Sequence, residues 1–349
     1  MTQYLILQHP GHNRVYYNVA GELALAELQI AGSKFETPCR AVRLIEIAEI
    51  RYLSFEVESE LSSNDIGVLS RLSFVFAIYK VLNIDGEECL KPIAIKDYAY
   101  VDAKISSLLK YPGKTNELFT KMMVNVALLS SNFNYDTNIQ LLDPVAGRGT
   151  TLFEASVYGF NATGIEIESK SVHEATVFFK KFIQTERYKH QNDKRQISGN
   201  NKKEAIYVQE FEFAPTKEMF KIEELKRKLA YVNGSSQNVE SYFKANTFHL
   251  IVGDLPYGIA HGNSSTHRSA SITRNPSEMI EQCADGWFKV LKKGGVIVLA
   301  WNVFVAAKVK LEQILSSHGF EVLSEDPYAN FEHMVDKSIK RDIIVARKI

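Results

Sequence analysis

The sequence holds only three cysteines, Cys39, Cys89 and Cys283, far apart and without a CxxC pair. That spacing supports neither a disulfide framework nor a zinc site, so no metal is expected and a reducing cytoplasm is the expected compartment. No apolar run approaches the roughly 20 residues that a membrane-spanning helix needs. The opening segment, residues 1–8, is short, has no basic start and ends at His9 and Pro10, which is unlike a secretory signal. An excess of one charge sign is missing too: 41 Lys and Arg balance 41 Asp and Glu. The global field therefore attracts no polyanion, and any nucleic-acid surface must be a local patch.

What remains is a soluble-type composition, 45% apolar and 23% charged, spread over 349 residues. That length exceeds one average domain and predicts a catalytic domain with a smaller partner. The chain divides near residue 105. Residues 1–104 read as a small α+β domain: a strand at 4–7, a turn through His9 and His12, a helix over 21–30, strands at 41–47 and 51–57, and a second helical pattern over 66–82. His9 and His12 flank the glycine of that turn and are candidates for touching a ligand.

Residues 105–349 follow another rhythm. Helix, strand, glycine turn, helix and strand recur, the order that builds a parallel sheet covered on both faces. Strands are expected at 139–142, 162–165, 230–233, 248–252 and 295–301, with a helix ending over 287–293 and stopped by Gly294 and Gly295. A long insertion separates the second strand from the third. After a helix at 308–317, strands at 320–324 and 343–346 close the chain.

Three motifs carry chemistry. The first, Asp143-Pro-Val-Ala146-Gly147-Arg-Gly149-Thr150-Thr151, follows an apolar strand and opens a helix, so its glycines stand where a backbone turns tightly against a ligand. The strand ends in an acid, which repels a pyrophosphate but accepts hydrogen bonds from an ammonium or hydroxyl. The second is Glu166, at the end of the next strand and about twenty residues after the glycines, where an acid can bind both ribose hydroxyls of an adenosine cofactor. Glu168, beside Ser169 and Ser171, reads as a helix cap. The third is Asp254-Leu255-Pro256-Tyr257-Gly258, directly after an apolar strand. The carboxylate of Asp254 and the carbonyl of Leu255 can accept both N–H groups of an exocyclic base amine, whose delocalised lone pair otherwise makes a poor nucleophile. Tyr257 offers a face for a flipped base, and Gly258 leaves room for it.

At these residues the chain resembles the S-adenosylmethionine (SAM) dependent tRNA guanosine-N2 methyltransferases, from about residue 110 to the end. Tyr111-Pro112-Gly113-Lys114-Thr115-Asn116 is similar to that family's cofactor motif ahead of the sheet. The resemblance implies a class I SAM-dependent methyltransferase fold, Rossmann-like with a terminal antiparallel strand. It implies cofactor contacts at Pro112, Thr115, Asn116, Asp143, Ala146, Gly147, Gly149, Thr150, Glu166 and Asp254, and catalysis by Asp254, Leu255, Pro256 and Tyr257. Members of the family usually carry a THUMP-type RNA-binding domain, for which residues 1–104 are short and would be a reduced version. At the third strand, where the family often shows an acid, Asn233 stands instead. An adenine-N6 methyltransferase acting on DNA or rRNA is the alternative enzyme, and an RNA-binding protein with a degenerate methyltransferase domain the alternative without activity.

Two stretches are candidates for holding RNA, most plainly tRNA. Residues 180–203 carry eight Lys or Arg, interleaved with Tyr188 and His190. Residues 260–275, polar and without apolar period, follow the third motif as a lid would.

Overall fold

The structure, a computed structural model, describes residues 1–9, 14–198, 205–256 and 275–349. Tyr257, Gly258, His12 and all of the expected lid except Asn275 lie outside the described residues. The chain forms two compact units, one of Met1–Tyr98 with Ser324–Lys340, the other of Ala99–Leu323 with Arg341–Ile349.

The first unit contains β1 (Thr2–Gln8), α1 (Arg14–Gly32), β2 (Cys39–Ile47), β3 (Ile50–Val57), α2 (Ser63–Leu69), β4 (Val75–Ile84) and β5 (Glu87–Ile93). Its five-stranded sheet has the order β2-β3-β1-β4-β5 and is antiparallel throughout. Helix α1 buries Leu23, Ala26, Leu28 and Ile30. The same helix buries Glu27, whose carboxylate accepts the Ser73 amide at 3.1 Å and the Ser73 hydroxyl, so the acid ties down the approach to β4 rather than facing a ligand.

The helix expected over 66–82 is corrected here. A capping box between Ser62 and Asp65 starts α2, but it stops at Leu69, and Val75–Ile84 is a central strand. Residues 66–74 hold enough apolar positions to imitate a helical face. The β-branched and aromatic run that follows gains cross-strand partners on both sides, β1 and β5, which local helical bonds cannot match. Asp85 and Gly86, both at positive φ, close the β4–β5 hairpin.

The second unit runs α3 (Ile105–Leu108), α4 (Glu117–Ser130), β6 (Gln140–Asp143), α5 (Thr150–Val157), β7 (Asn161–Glu166), α6 (Ser169–Thr185), β8 (Lys189–Ser198), β9 (Ala205–Ala214), α7 (Lys217–Phe220), β10 (Arg227–Asn233), α8 (Val239–Tyr242), β11 (Phe248–Asp254), α9 (Pro276–Val290), β12 (Leu291–Asn302), α10 (Lys308–Ser317) and β13 (Phe320–Leu323). After the short strand β14 (His333–Met334) in the first unit, the chain returns as β15 (Lys340–Lys348). The sheet order is β13-β15-β12-β11-β6-β7-β10-β9-β8. Strands β12, β11, β6, β7 and β10 run parallel to one another, β15 is antiparallel to both β12 and β13, and β9 is antiparallel to β10. From β6 the chain steps to β7 on one side, and later to β11 on the other. The carboxyl ends of β6 and β11 therefore flank a topological switch point, where such sheets open a crevice.

Packing is dense beside that crevice. Trp287 and Trp301 are fully buried, and each indole N–H has an acceptor, Ser236 Oγ at 3.0 Å and the Ala306 carbonyl at 2.9 Å. Burial of an aromatic of this size removes roughly 150–250 Å² from water, so these rings anchor the face under β11 and β12.

One further expectation is corrected. Helix α9 ends at Val290, and Gly294 and Gly295 lie inside β12 rather than stopping a helix. The β11–β12 register jumps between Phe248 and Leu250, and a Cβ at Gly295 would lie 2.6 Å from the His249 carbonyl. Gly295 serves a bulge where two backbones approach closely. In the long insertion β8 and β9 form an antiparallel hairpin that extends the sheet beyond β10. Within it Arg195 lies 4.0 Å from Glu210, and Lys228 of the neighbouring β10 lies 2.7 Å from Glu212.

Candidate active site

A cavity of about 370 Å³ opens at the carboxyl ends of β6 and β11. Of the residues expected from sequence, Pro112, Thr115, Asp143, Ala146, Gly147, Thr150, Asp254, Leu255 and Pro256 line it. Tyr111, Arg148, Thr120, Thr151 and Ser171 line it as well.

The glycine loop owes its shape to backbone bonds reaching the next strand. The Ala146 amide donates to the Ile165 carbonyl at 2.9 Å, and the Gly147 amide donates to Glu166 Oε2 at 2.9 Å. Gly147 has φ +50° and open space where a Cβ would stand, so its face is turned to the cavity. Gly149, at φ +92°, is crowded instead: a Cβ there would lie 2.0 Å from the hydroxyl of Tyr231. Gly164 completes the device, because a Cβ on it would press to 2.6 Å from Ala146.

Tyr231 was not foreseen. It lies on β10, in register with Gly164 on β7, and its ring runs beneath the loop. The side chain is fully buried, and among the described residues its hydroxyl has no hydrogen-bond partner. Burial pushes the phenol well above its ordinary range, with Asp143, Tyr111 and Glu166 adding in the same direction. From sequence Tyr231 was one more aromatic in an uncertain strand, and only the pairing of β10 with β7 brings it here.

Asp143 ends β6 and is buried, accepting the Val145 amide at 3.0 Å. Burial raises its carboxyl to about 7, partly opposed by the Val145 amide and the Thr151 hydroxyl. Glu166 accepts the Glu168 amide at 2.7 Å as well as that of Gly147, and burial raises its carboxyl too. It braces the loop and the entry to α6 at once. Glu168 occupies the N-cap position of α6 and accepts the Ser171 hydroxyl. Asn116 is not brought to the cavity wall: its side-chain oxygen caps α4, accepting the Leu118 and Phe119 amides at 2.9 and 3.2 Å.

Asp254 ends β11 across the cavity from Asp143. The Thr115 hydroxyl donates to its Oδ2, and the guanidinium of Arg341 lies 3.8 Å from the same oxygen. Arg341 is buried and stacks over the Phe119 ring at 4.7 Å. No sequence signal marks Arg341, which reaches the site only because β15 pairs antiparallel with β12, Arg341 opposite Asn302. Asn302 itself is buried, and its side-chain oxygen accepts the Phe304 amide. On the rim, Arg148 stacks on Tyr111 at 4.6 Å and pairs with Glu174 at 2.6 Å, while the Tyr111 hydroxyl is 3.2 Å from Thr150.

Strand order, the antiparallel β15 and a glycine loop at the switch point together define the fold. It is the class I SAM-dependent methyltransferase fold.

No protein-family model matches the chain, and no curated protein matches its sequence. Solved structures do resemble it at low identity. The Methanococcus jannaschii fibrillarin pre-rRNA processing protein is 13% identical with a TM-score of 0.37, over 88% of this chain and 98% of that one. An rRNA methylase from Streptococcus thermophilus is 8% identical with a TM-score of 0.33, over 61% and 89%. A TehB-like SAM-dependent methyltransferase from Corynebacterium glutamicum is 12% identical with a TM-score of 0.33, over 61% and 81%. What the site does is therefore read from its own residues.

Proposed function

We propose that the chain transfers a methyl group from SAM to the exocyclic amine of a nucleobase in RNA, specifically N2 of a guanosine in tRNA. One observation carries the reading: Asp254, followed by Leu255 and Pro256, shares a single cavity with the Asp143–Thr150 glycine loop. A nucleotide loop without that acid would suit many cofactors. An acid of this kind without the loop would suit many amines.

The cavity's residues fit SAM. Gly147 leaves open space where a side chain would stand, so a ligand can approach the backbone there. Acids, rather than amides and lysines, dominate the loop's surroundings, which suits an ammonium and hydroxyls better than a pyrophosphate. Asp143, Gly147, Thr150 and Pro112 would hold the amino-acid part, and Glu166, which braces the loop from behind the cavity wall, is assigned the ribose by its place at the end of β7. When bound, the cofactor supplies an electrophilic methyl group on a sulfonium.

The chain's own residues do the rest. Asp254 and the Leu255 carbonyl accept the amine's N–H groups, which drives the nitrogen toward a tetrahedral geometry and stabilises positive charge as the new bond forms. Thr115 and Arg341 fix the Asp254 carboxylate so that it need not reorganise during the reaction. Pro256 keeps the segment extended, and Tyr257 is assigned the stacking face by its place in the motif. Residues 1–104 are assigned to RNA binding as a reduced module, residues 105–349 to transfer, and the cytoplasm as the compartment.

The test is incubation with methyl-labelled SAM and separate pools of unmodified tRNA, rRNA and DNA, followed by mass spectrometry of the nucleosides. N2-methylguanosine in tRNA, lost in Asp254→Ala, is the expected outcome. N6-methyladenine, or label confined to DNA, would sink the guanine assignment.

A further inference from the structure

Most cations of the 180–203 stretch are not equivalent once folded. Arg195 pairs with Glu210, and Lys194 lies over the Tyr207 ring at 4.8 Å. A different group gathers at the opposite end of the hairpin, where a second cavity of about 260 Å³ is lined by Gln184, Arg187, Tyr188, Lys189, His190 and Lys217. No acidic residue among the described ones lines it. Lys217 comes from outside the stretch that the sequence marked.

Local folding fixes this grouping. Arg187 follows the end of α6 at φ +60°, with its amide donating to the Gln184 carbonyl and the Tyr188 amide to Ile183, so the chain reverses and β8 begins at once. Lys189 extends over the Phe220 ring of α7 at 5.9 Å, next to Lys217. His190 Nδ1 faces the Tyr188 carbonyl at 2.9 Å, which directs Nε2 away from the backbone.

Charge decides what the cavity wants. The neighbouring acids Asp102 and Glu186 are both engaged by Lys104, at 3.0 and 2.8 Å. Glu218 is held low by its own backbone amide and the Thr216 hydroxyl, with Lys221 and Lys217 acting at longer range. The cavity wall itself carries three cations, Arg187, Lys189 and Lys217, and among the described residues no acid. Three cations at a helix carboxyl end also complement its dipole, but that end carries only about half a negative charge. The positive excess survives it.

We infer that this cavity is a seat for a backbone phosphate of the RNA substrate. The inference rests on the RNA reading above. Arg187 supplies a planar fork, and Lys189 and Lys217 supply point charges, the donor set that phosphate oxygens take. These side chains are exposed, so a lone phosphate would be held weakly and screened by salt. A polynucleotide already bound at the catalytic cavity meets the seat at high effective concentration. Register gives the distance. Lys189 pairs with Ala214 and Phe213 with Arg227, the start of β10, while the other end of β10, Asn233, pairs with Glu166 beside the glycine loop. The seat is thus a strand length along the sheet, roughly 20 Å, and five strand spacings across it from β11, roughly 24 Å, which places it on the order of 30 Å from the transfer chemistry. Only an RNA that spans that distance reaches both.

The experiment is fluorescence anisotropy of labelled, unmodified tRNA with the full chain, without SAM, from about 50 to 200 mM salt. It compares wild type, the seat variant Arg187→Asn/Lys189→Gln/Lys217→Gln, and a control, Lys180→Gln/Lys181→Gln, on exposed positions of α6 outside the cavity. Asparagine keeps the left-handed backbone of Arg187 accessible. For the seat variant the Kd should rise about tenfold at low salt and the log–log salt slope should fall by about 1, with the control changing less than twofold. An oligonucleotide of three residues should bind all three proteins equally. Unchanged tRNA affinity in the seat variant, or equal weakening in both variants, overturns the seat while leaving the RNA reading intact. Inorganic phosphate saturating the seat by calorimetry, with tRNA affinity insensitive to the seat variant, overturns it in favour of a small-anion site. A wild-type chain that binds no RNA refutes the RNA reading itself.

Discussion

Replacing Gly149 by alanine sets a methyl group against the hydroxyl of Tyr231, and the cost can be worked out from the contact. The added Cβ would stand 2.0 Å from Tyr231 Oη, at a backbone φ of +92°. Strain at such a φ costs about 1–2 kcal/mol for an L residue, and forcing a buried ring aside adds about 1–3 kcal/mol. Gly149→Ala should therefore destabilise the second unit by about 2–5 kcal/mol. Tyr231→Phe alone should be mildly stabilising, by about 1 kcal/mol, because it removes a buried hydroxyl that has no partner among the described residues. In the double variant the nearest atoms to the new methyl would be Phe153 Cζ at 3.1 Å and the former Tyr231 Cζ at 3.3 Å, which small shifts can absorb. The two changes should thus be coupled by about 1–2 kcal/mol. Both tryptophans, Trp287 and Trp301, lie buried in the second unit, so urea unfolding followed by tryptophan fluorescence reports on that unit alone. With a urea slope of about 2.5 kcal/mol per M, a loss of 3 kcal/mol moves the midpoint by about 1 M. Additive midpoints, or a cost for Gly149→Ala no larger than backbone strain alone, would refute the wedged arrangement of Tyr231 under the loop.

Three further outcomes are expected. Asp254→Asn should lower kcat by about 10²–10³-fold while leaving the Kd for SAM, by calorimetry, within a few-fold of wild type; an equal loss in both would make Asp254 a cofactor ligand first. Thr115→Val removes the hydroxyl donated to Asp254 and should lower kcat about tenfold, with Thr115→Ser restoring it; a serine variant as slow as the valine would exclude that hydrogen bond as the cause. Burial raises the Asp143 carboxyl from 3.8 to about 7, so the folded state disfavours its charged form. Its contribution to stability is then fully present below about pH 4 and is lost as pH rises through 7, on the order of 4 kcal/mol at about 1.4 kcal/mol per pKa unit. Asp143→Asn should accordingly raise the unfolding midpoint of the cofactor-free chain at pH 8 but not at pH 4, and equal shifts at both would show that the carboxyl is not charged against its surroundings.

The amino-acid sequence alone determined what depends on neighbours along the chain. The glycine loop after an apolar strand, the acid after the next strand and the Asp254 motif at the end of β11 were legible because each needs only a few consecutive residues to set its backbone. The parallel strands of the second unit and the last strand were legible for the same reason, since an apolar run bounded by turns declares itself locally, whereas the antiparallel direction of the last one was implied only by the family resemblance. Local pattern failed where pairing across the sheet overrode it. Residues 75–84 became a strand because β1 and β5 offered hydrogen bonds on both sides, and Gly294 and Gly295 lie inside β12, close against Asn132 and the His249 carbonyl respectively, rather than at a helix end. The basic stretch was visible only as a count of charges. Which of its cations are spent on Glu210, and which face a shared cavity with Lys217, is set by the hairpin register. Asn116, Tyr231 and Arg341 make the same point within the site. Asn116 fell in a cofactor-like motif but caps a helix, whereas Tyr231 and Arg341 carry no motif and arrive from the third and the last strands of the parallel core's flanks. Side chains separated by a hundred residues meet only when β-strands choose their partners, and that choice is made by burial and hydrogen bonding over the whole sheet.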